Sequence, residues 1–391
     1  LHDLGYIPMV IKALPEGSSV PLRVPMFTIY NTLPEFFWLT NYFETLLSAV
    51  IWMPCTSASI ARQYRKLLDR YAAETSSVPD FVNWQGHDFS MRGMEGVEGA
   101  VTSGAGHLLS FNGTDTIPAI DFLERYYSAD SDKELIGGSV AATEHSVMCM
   151  GTNEAEFDTF QRLICNVYPK GIVSIVSDTW DLWKVLTEYL PALKQEIIKR
   201  EGKVVIRPDS GDPADILCGN NRGKNELEQK GVIELLWDVF GGSINEKGYR
   251  ELIPQIGAIY GDSITIERAG DICERLKQKG FASTNVVLGI GSYTYQYNTR
   301  DTFGFAMKAT YGEVDGIGRA IFKDPVTDDG TKKSAKGLLR VNLQDGKYCL
   351  TDNVSWQEEE LGELKEVFRD GKLIVDQTLN AIRTRIKNNI S

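Results

Sequence analysis

The stretch Val204-Val205-Ile206-Arg207-Pro208-Asp209-Ser210-Gly211-Asp212-Pro213 decides how this chain is read. Three β-branched residues run into an Arg and an Asp, then into Ser, Gly and Pro. The pattern predicts a buried strand whose C-terminal end opens into a polar turn. Arg207 and Asp209 alternate along an extended backbone, so both side chains can point to one side. An Arg and a carboxylate at a strand mouth suit a substrate carrying phosphate together with amide or hydroxyl groups. A structural ion pair beside a turn is the alternative reading of the same residues.

Upstream and downstream the same sentence structure repeats. An apolar run ends in a polar residue or a Gly, and a helical stretch follows. The endings are Asp115 after Leu108–Phe111, His145 after Gly138–Ala141, Asp178 after Ile172–Val176, then Asp209, Asp262 after Ile256–Tyr260, and Gly291 after Val286–Leu288. Most are about thirty residues apart, the spacing a strand plus a returning helix needs. The longer gap before Asp262 holds an insertion around Cys218 to Lys230. Repeated βα units mean parallel strands buried on both faces. Such a series favours a closed (β/α) barrel, whose C-terminal strand ends converge on one ligand-binding mouth. The alternative is that each polar residue caps the next helix.

The flanks follow another rhythm. Residues 1–31 carry short apolar runs broken by Pro and Gly, which predict antiparallel strands. Phe36 to Val50 and Ala58 to Tyr71 recur at helical spacing and predict two helices, the first so apolar that it belongs in a core or a subunit contact. Leu338–Leu343 and Tyr348–Leu350 flank an Asp345-Gly346 turn, and Phe368 and Leu373–Val375 flank Asp370-Gly371, two hairpin signals. Both hairpins are expected to pair with the N-terminal strands. The predicted fold class is α/β: an irregular (β/α) barrel over 34–335 beside a discontinuous, mainly antiparallel β domain made of 1–33 and 336–391.

Bulk composition narrows the function. The 391 residues are 42% hydrophobic and 24% charged, with 41 Lys and Arg against 53 Asp and Glu and a net charge of −12. So acidic a chain is a poor nucleic-acid binder, and any phosphate must be met by local cations. Six widely spaced cysteines without a CxxC pair argue against a zinc site or disulfide framework. They predict thiols that are mostly buried, in a reducing, cytoplasmic setting. No run of about 18 apolar residues is expected, hence no membrane span.

Several groups stand out chemically. His145, at a strand end with Asp178 on the next strand, suits a nucleophile or a base held in one tautomer by the carboxylate; the alternative is a satisfied core histidine. Gly289-Ile290-Gly291-Ser292 lets backbone N–H groups approach a phosphate. It is followed by Arg300, Lys308, Lys323 and a basic segment ending at Lys336, which fit phosphate binding or a solvated loop. Asp209 and Asp262 beside a bound diphosphate would complete the oxygen shell of Mg²⁺. In His87-Asp88-Phe89-Ser90-Met91-Arg92-Gly93, the Phe and Arg suit a flat heteroaromatic ring, or a core Phe beside a surface Arg.

Together, HDFSMRG (87–93), GTDT (113–116), ATEHS (142–146), SDTWD (177–181), IRPDSGDP (206–213), GDS (261–263), GIGS (289–292), TRD (299–301) and FKDP (322–325) resemble the type II phosphoribosyltransferase family, in its nicotinamide-using branch. The resemblance implies a homodimer with active sites shared between subunits. It implies transfer of phosphoribosyl from phosphoribosyl pyrophosphate to nicotinamide with Mg²⁺, in NAD salvage. By motif, Phe89 would stack on the pyridine ring, Arg207 would meet the carboxamide oxygen and Asp115 its N–H. Asp209 would contact ribose or Mg²⁺, and Gly261, Asp262, Gly291 and Ser292 would line the ribose-phosphate site. Arg92, Arg300, Lys308 and Lys323 would hold phosphates, some across the dimer. His145 would be the histidine phosphorylated by ATP, with Asp178 orienting it. The family also has an N-terminal segment supplying a second ring-stacking aromatic, absent here, so an open pocket and little activity are expected of this chain alone. A nicotinate-using relative, which would want cations where Asp115 stands, and a non-catalytic binding protein are the competing readings.

Overall fold

The apolar runs that end before Asp178, Asp209, Gly261 and Gly291 form four adjacent parallel strands. A computed structural model describes residues 1–261, 263–322 and 334–388. They form two compact units, one of Leu1–Thr56, Arg125–Ala129 and Asn298–Ser391, the other of Ser57–Glu124 and Asp130–Tyr297. Strands β1 (Met9–Ala13) and β2 (Phe27–Asn31) open the first. The second contains β3 (Gly86–Asp88), β4 (Gly113–Thr114), β5 (Ala141–Ala142), β6 (Lys170–Val176) and β7 (Glu201–Arg207). An antiparallel hairpin, β8 (Gly242–Ile244) and β9 (Arg250–Leu252), then precedes β10 (Ile256–Tyr260) and β11 (Val286–Ile290).

The parallel sheet runs β4-β3-β11-β10-β7-β6-β5. Its central strands are Val- and Ile-rich because both faces are covered. Val173, Ile175, Val204, Ile206, Ile256, Leu288 and Ile290 are all buried. Gly138 pairs in parallel with Gly113 on one edge, and Ala141 and Ala142 pair with Val173 and Ser174 on the other. One short segment thus touches both edges and closes the sheet into an irregular barrel.

The outer helices pack by one apolar stripe. In Ile266–Gln278, Ala269, Ile272, Cys273 and Leu276 are buried at helical spacing. Thr265 Oγ1 caps the start by accepting the Arg268 N–H, and Arg275 and Lys277 meet the negative end. Burying one such aliphatic side chain stabilises the fold by about 1.5–3 kcal/mol.

In the other unit the sheet order is β17-β16-β1-β2, with β16 at Lys365–Arg369 and β17 at Lys372–Leu373. Two further hairpins, β12 (Tyr311–Val314) with β13 (Ile317–Ala320) and β14 (Leu338–Gln344) with β15 (Lys347–Val354), form separate two-stranded sheets. Only the Asp370-Gly371 hairpin joins the N-terminal strands, through β1 and β16. The expected pairing of the Asp345-Gly346 hairpin with them does not occur. Both turns have positive φ at Asp and Gly, the geometry that matches strand twist.

Three other expectations are corrected. Leu39–Thr75 is one helix running through Pro54, not two. By length and composition it is long enough and apolar enough to cross a bilayer, contrary to the expectation of no such stretch. Its Ala61, Tyr64, Leu68, Tyr71 and Ala72 are buried in protein, whereas Tyr42, Leu46 and Val50 are exposed. Of the cysteines only Cys218 and Cys273 are buried, and burial pushes both thiols up to about 12.

Candidate active site

Every strand of the barrel delivers a polar residue or a glycine at its C-terminal end, so these residues share one mouth. Phe89 follows β3, with its N–H donating to Ile290 O at 3.0 Å. Asp115 follows β4, Asp178 follows β6, Asp209 follows β7, Gly261 follows β10 and Gly291 follows β11. His145, three residues past β5, starts the helix His145–Met150.

Gly261 marks the point where several of them meet. A Cβ placed there would lie 2.8 Å from Asp209 Oδ1, 3.5 Å from Arg207 Nε and 3.7 Å from Phe89 Cε2. Only a glycine leaves that space open for a ligand. The Arg207 guanidinium lies 5.5 Å from the Phe89 ring centroid. Arg207 is buried, and its Nε has no hydrogen-bond partner. A buried, unsatisfied guanidinium donor at a mouth awaits an acceptor such as a ligand oxygen. Glu144 Oε2 is 3.9 Å from both Arg207 and Arg92, so this carboxylate stands between the two cations.

Asp178 is an anchor. Its Oδ2 accepts from the Asp209 N–H at 2.9 Å and from Ser210 Oγ at 2.6 Å. Its Oδ1 faces His145 Nε2 at 3.4 Å. That separation is longer than a normal hydrogen bond and leaves Oδ1 otherwise unsatisfied. The loop after β7 is therefore held by the same carboxylate that faces His145.

Asp115 is the second anchor. His87 Nε2 lies 2.8 Å from its Oδ1, and Ser139 Oγ donates to the same oxygen at 2.5 Å. Burial pushes the carboxyl up, but the bonds from His87 and Ser139 and the His87 and Arg207 charges outweigh it, holding Asp115 below the usual carboxylate range. The His87 ring is 4.6 Å from the Phe89 ring. Behind them, fully buried His107 bonds Tyr295 OH at 2.7 Å and Gly113 O at 3.0 Å. Burial lowers its pKa, so it is neutral; Nε2–H donates to Gly113 O and Nδ1 accepts from Tyr295. This ties the Gly113–Asp115 turn to the helix Ser292–Tyr295, which begins at Ser292 directly after Gly291.

The barrel unit thus brings together Phe89, Arg92, Asp115, His145, Asp178, Arg207, Asp209, Gly261, Gly291 and Ser292. Arg300 and Lys308 belong to the other unit; Lys308 is exposed and Arg300 bonds Asp301. Asp262 and Lys323 lie outside the described residues. The contributions of His87, Ser139, Glu144 and Ser210 were not foreseen. For His87 a signal existed: it alternates with Phe89 along an extended segment, which puts both on one side.

Comparison with known proteins shows the family to which the chain belongs. Residues 84–372 match the model of the nicotinate phosphoribosyltransferase (NAPRTase) family. A protein of Acinetobacter baylyi named nicotinamide phosphoribosyltransferase is 56% identical over 99% of this chain and 77% of its own length. Proteins of the same name from Mycoplasma pneumoniae, 39% identical over 85% of this chain and 71% of theirs, and Xanthomonas campestris pv. campestris, 34% over 97% and 79%, are also similar. Among solved structures, nicotinate-nucleotide pyrophosphorylase from Pyrococcus furiosus superimposes with a TM-score of 0.59 at 14% identity, over 98% of this chain and 80% of that one, a likeness of fold.

Proposed function

This chain belongs to the nicotinate phosphoribosyltransferase family and is a pentosyltransferase, and we propose that its substrates are nicotinamide and phosphoribosyl pyrophosphate. In that reaction the pyridine nitrogen forms a bond to ribose C1′, and the bond from C1′ to the pyrophosphate oxygen breaks. Pyrophosphate leaves with the electron pair, and the product is nicotinamide mononucleotide, feeding NAD salvage.

The observation that carries this reading is Asp115. Its carboxylate is kept ionised by His87 and Ser139 beside the Phe89 ring. An ionised acceptor welcomes an amide N–H and repels the carboxylate of nicotinate. Phe89 would hold the ring by its face, and the unpartnered Nε of Arg207 would donate to the amide oxygen. Gly261, Gly291 and Ser292, with Arg92, would accept the ribose phosphate and diphosphate.

Asp209 suits Mg²⁺. It is a half-buried carboxylate at a strand end, and the described residues contain no cluster of three metal-ligating side chains. The diphosphate oxygens would complete the shell, as is usual for this hard cation. When bound, Mg²⁺ neutralises charge on the leaving pyrophosphate. ATP is the proposed coupled co-substrate: His145 takes its γ-phosphoryl group, releasing ADP, and Asp178 fixes the imidazole. The same reading sets the protein in the cytoplasm as a homodimer, and the exposed Phe37, Trp38, Tyr42, Leu46 and Val50 suit a subunit contact.

Pyrophosphate release with nicotinamide or nicotinate, each with and without ATP, tests the reading. A higher rate with nicotinamide than with nicotinate, and stimulation by ATP, are expected. Equal use of the two acceptors would overturn it.

A further inference from the structure

His87 is buried yet points its Nε2 at a half-exposed carboxylate, Asp115, at 2.8 Å. Ser139 donates to the same oxygen, Oδ1. With both donors on Oδ1, Oδ2 is left for a ligand. Gly113 faces the other edge of the imidazole: a Cβ there would sit 2.7 Å from His87 Nδ1. Any larger residue at 113 would push the ring off Asp115. The Gly113 carbonyl is itself fixed by buried His107 at 3.0 Å. The imidazole is therefore clamped between Gly113, Phe89 and Asp115.

We infer that His87 is a positioning residue for acceptor choice: it pins Oδ1 of Asp115 so that Oδ2 presents one lone pair to the amide N–H of the ring substrate. This rests on the role proposed for Asp115. It adds that the carboxylate alone is not enough. A freely rotating Asp115 would spend part of its time turned to water, and the cost of orienting it would fall on substrate binding. His87 removes that cost before the substrate arrives. Because the imidazole acts through Asp115 on ring binding, its loss falls on KM for nicotinamide more than on kcat.

Two variants differing by one methylene separate this from a structural role. The Gln amide reaches where Nε2 of an imidazole lies; the Asn amide reaches only Nδ1. In the full chain, His87→Asn should raise the KM for nicotinamide about tenfold, the range for a lost hydrogen bond to a charged group, and change kcat less than about threefold. His87→Gln should recover most of that loss. In an Asp115→Ala background His87→Asn should add little, since its partner is gone. Equal defects in Asn and Gln variants, or full additivity with Asp115→Ala, would overturn the proposal. The Asp115→Ala variant alone separates the two levels. If it leaves nicotinamide KM unchanged, the proposed role of Asp115 fails; if it raises KM while His87→Asn does not, only the role of His87 fails. Circular dichroism melts of each variant identify any that do not fold, and for those nicotinamide binding by His87→Gln decides.

Discussion

Two histidine–aspartate pairs stand at the same barrel mouth, built the opposite way round. In His87–Asp115 the imidazole is 10% exposed and the carboxylate 45%, at 2.8 Å. In His145–Asp178 the imidazole is 44% exposed and the carboxylate 4%, at 3.4 Å. The exposed member is the one that can meet a ligand, and the buried member is the one that holds it. The same two residue types thus yield an acceptor served by a histidine in one case and a histidine served by an acceptor in the other. Pairing alone does not tell which group works; burial does.

The largest effect that sharpens this contrast is expected from His145→Ala. It should abolish transfer of label from γ-labelled ATP to the protein, and with it ATP stimulation, while nicotinamide KM moves little. Retained labelling would break the assignment of His145 as the working group. Asp178→Asn should be milder. The Asn oxygen can still accept from Asp209 N–H and Ser210, but the charge facing the imidazole is gone. Phospho-enzyme should fall about tenfold, the loss of one charge-assisted contact, as read by the same labelling; an unchanged level would mean that Asp178 serves only the loop.

The smallest effect is on stability. Asp115 is held below the usual carboxylate range, so its contribution is present above the ordinary carboxylate value and is lost as pH falls through the folded one. Asp115→Asn should therefore be less stable than the parent at neutral pH by under about 1 kcal/mol, given the group's exposure. The gap should close in acid. Urea melts across a pH series read it, and a gap independent of pH would show that the pair is electrostatically silent.

The contrast also separates what the sequence disclosed from what it hid. The strands β6, β7, β10 and β11 are continuous apolar runs, and their ends predict Asp178, Asp209, Asp262 and Gly291 at one mouth, Asp262 lying outside the described residues. The strands β3, β4 and β5 are two or three residues long, made of Gly, His, Asp, Thr and Ala. They carry no periodic signal and are strands only because neighbours pair with them. For that reason β3 is not legible as a strand, and in the stretch His87–Gly93 only Phe89 and Arg92 carry a readable role. The run Leu108–Phe111, expected to be a strand, instead closes the helix Gly96–His107, with Leu108 and Phe111 buried. An apolar run that short fits either structure. The helical spacing lapses between Val50 and Ala58, yet the helix continues there through Pro54, because surrounding turns tolerate one missing N–H. The acceptor pair is likewise long-range: Ser139 and His87 reach Asp115 from separate segments, and no local spacing encodes them.

The central claim is that one ionised carboxylate chooses the acceptor. The direct measurement is the ratio of kcat/KM for nicotinamide to that for nicotinate, in the parent chain and in Asp115→Ala. The ratio should strongly favour nicotinamide in the parent and fall by about 1.5–3 kcal/mol, tenfold or more, in the variant. A ratio that does not change on losing Asp115 would contradict the claim.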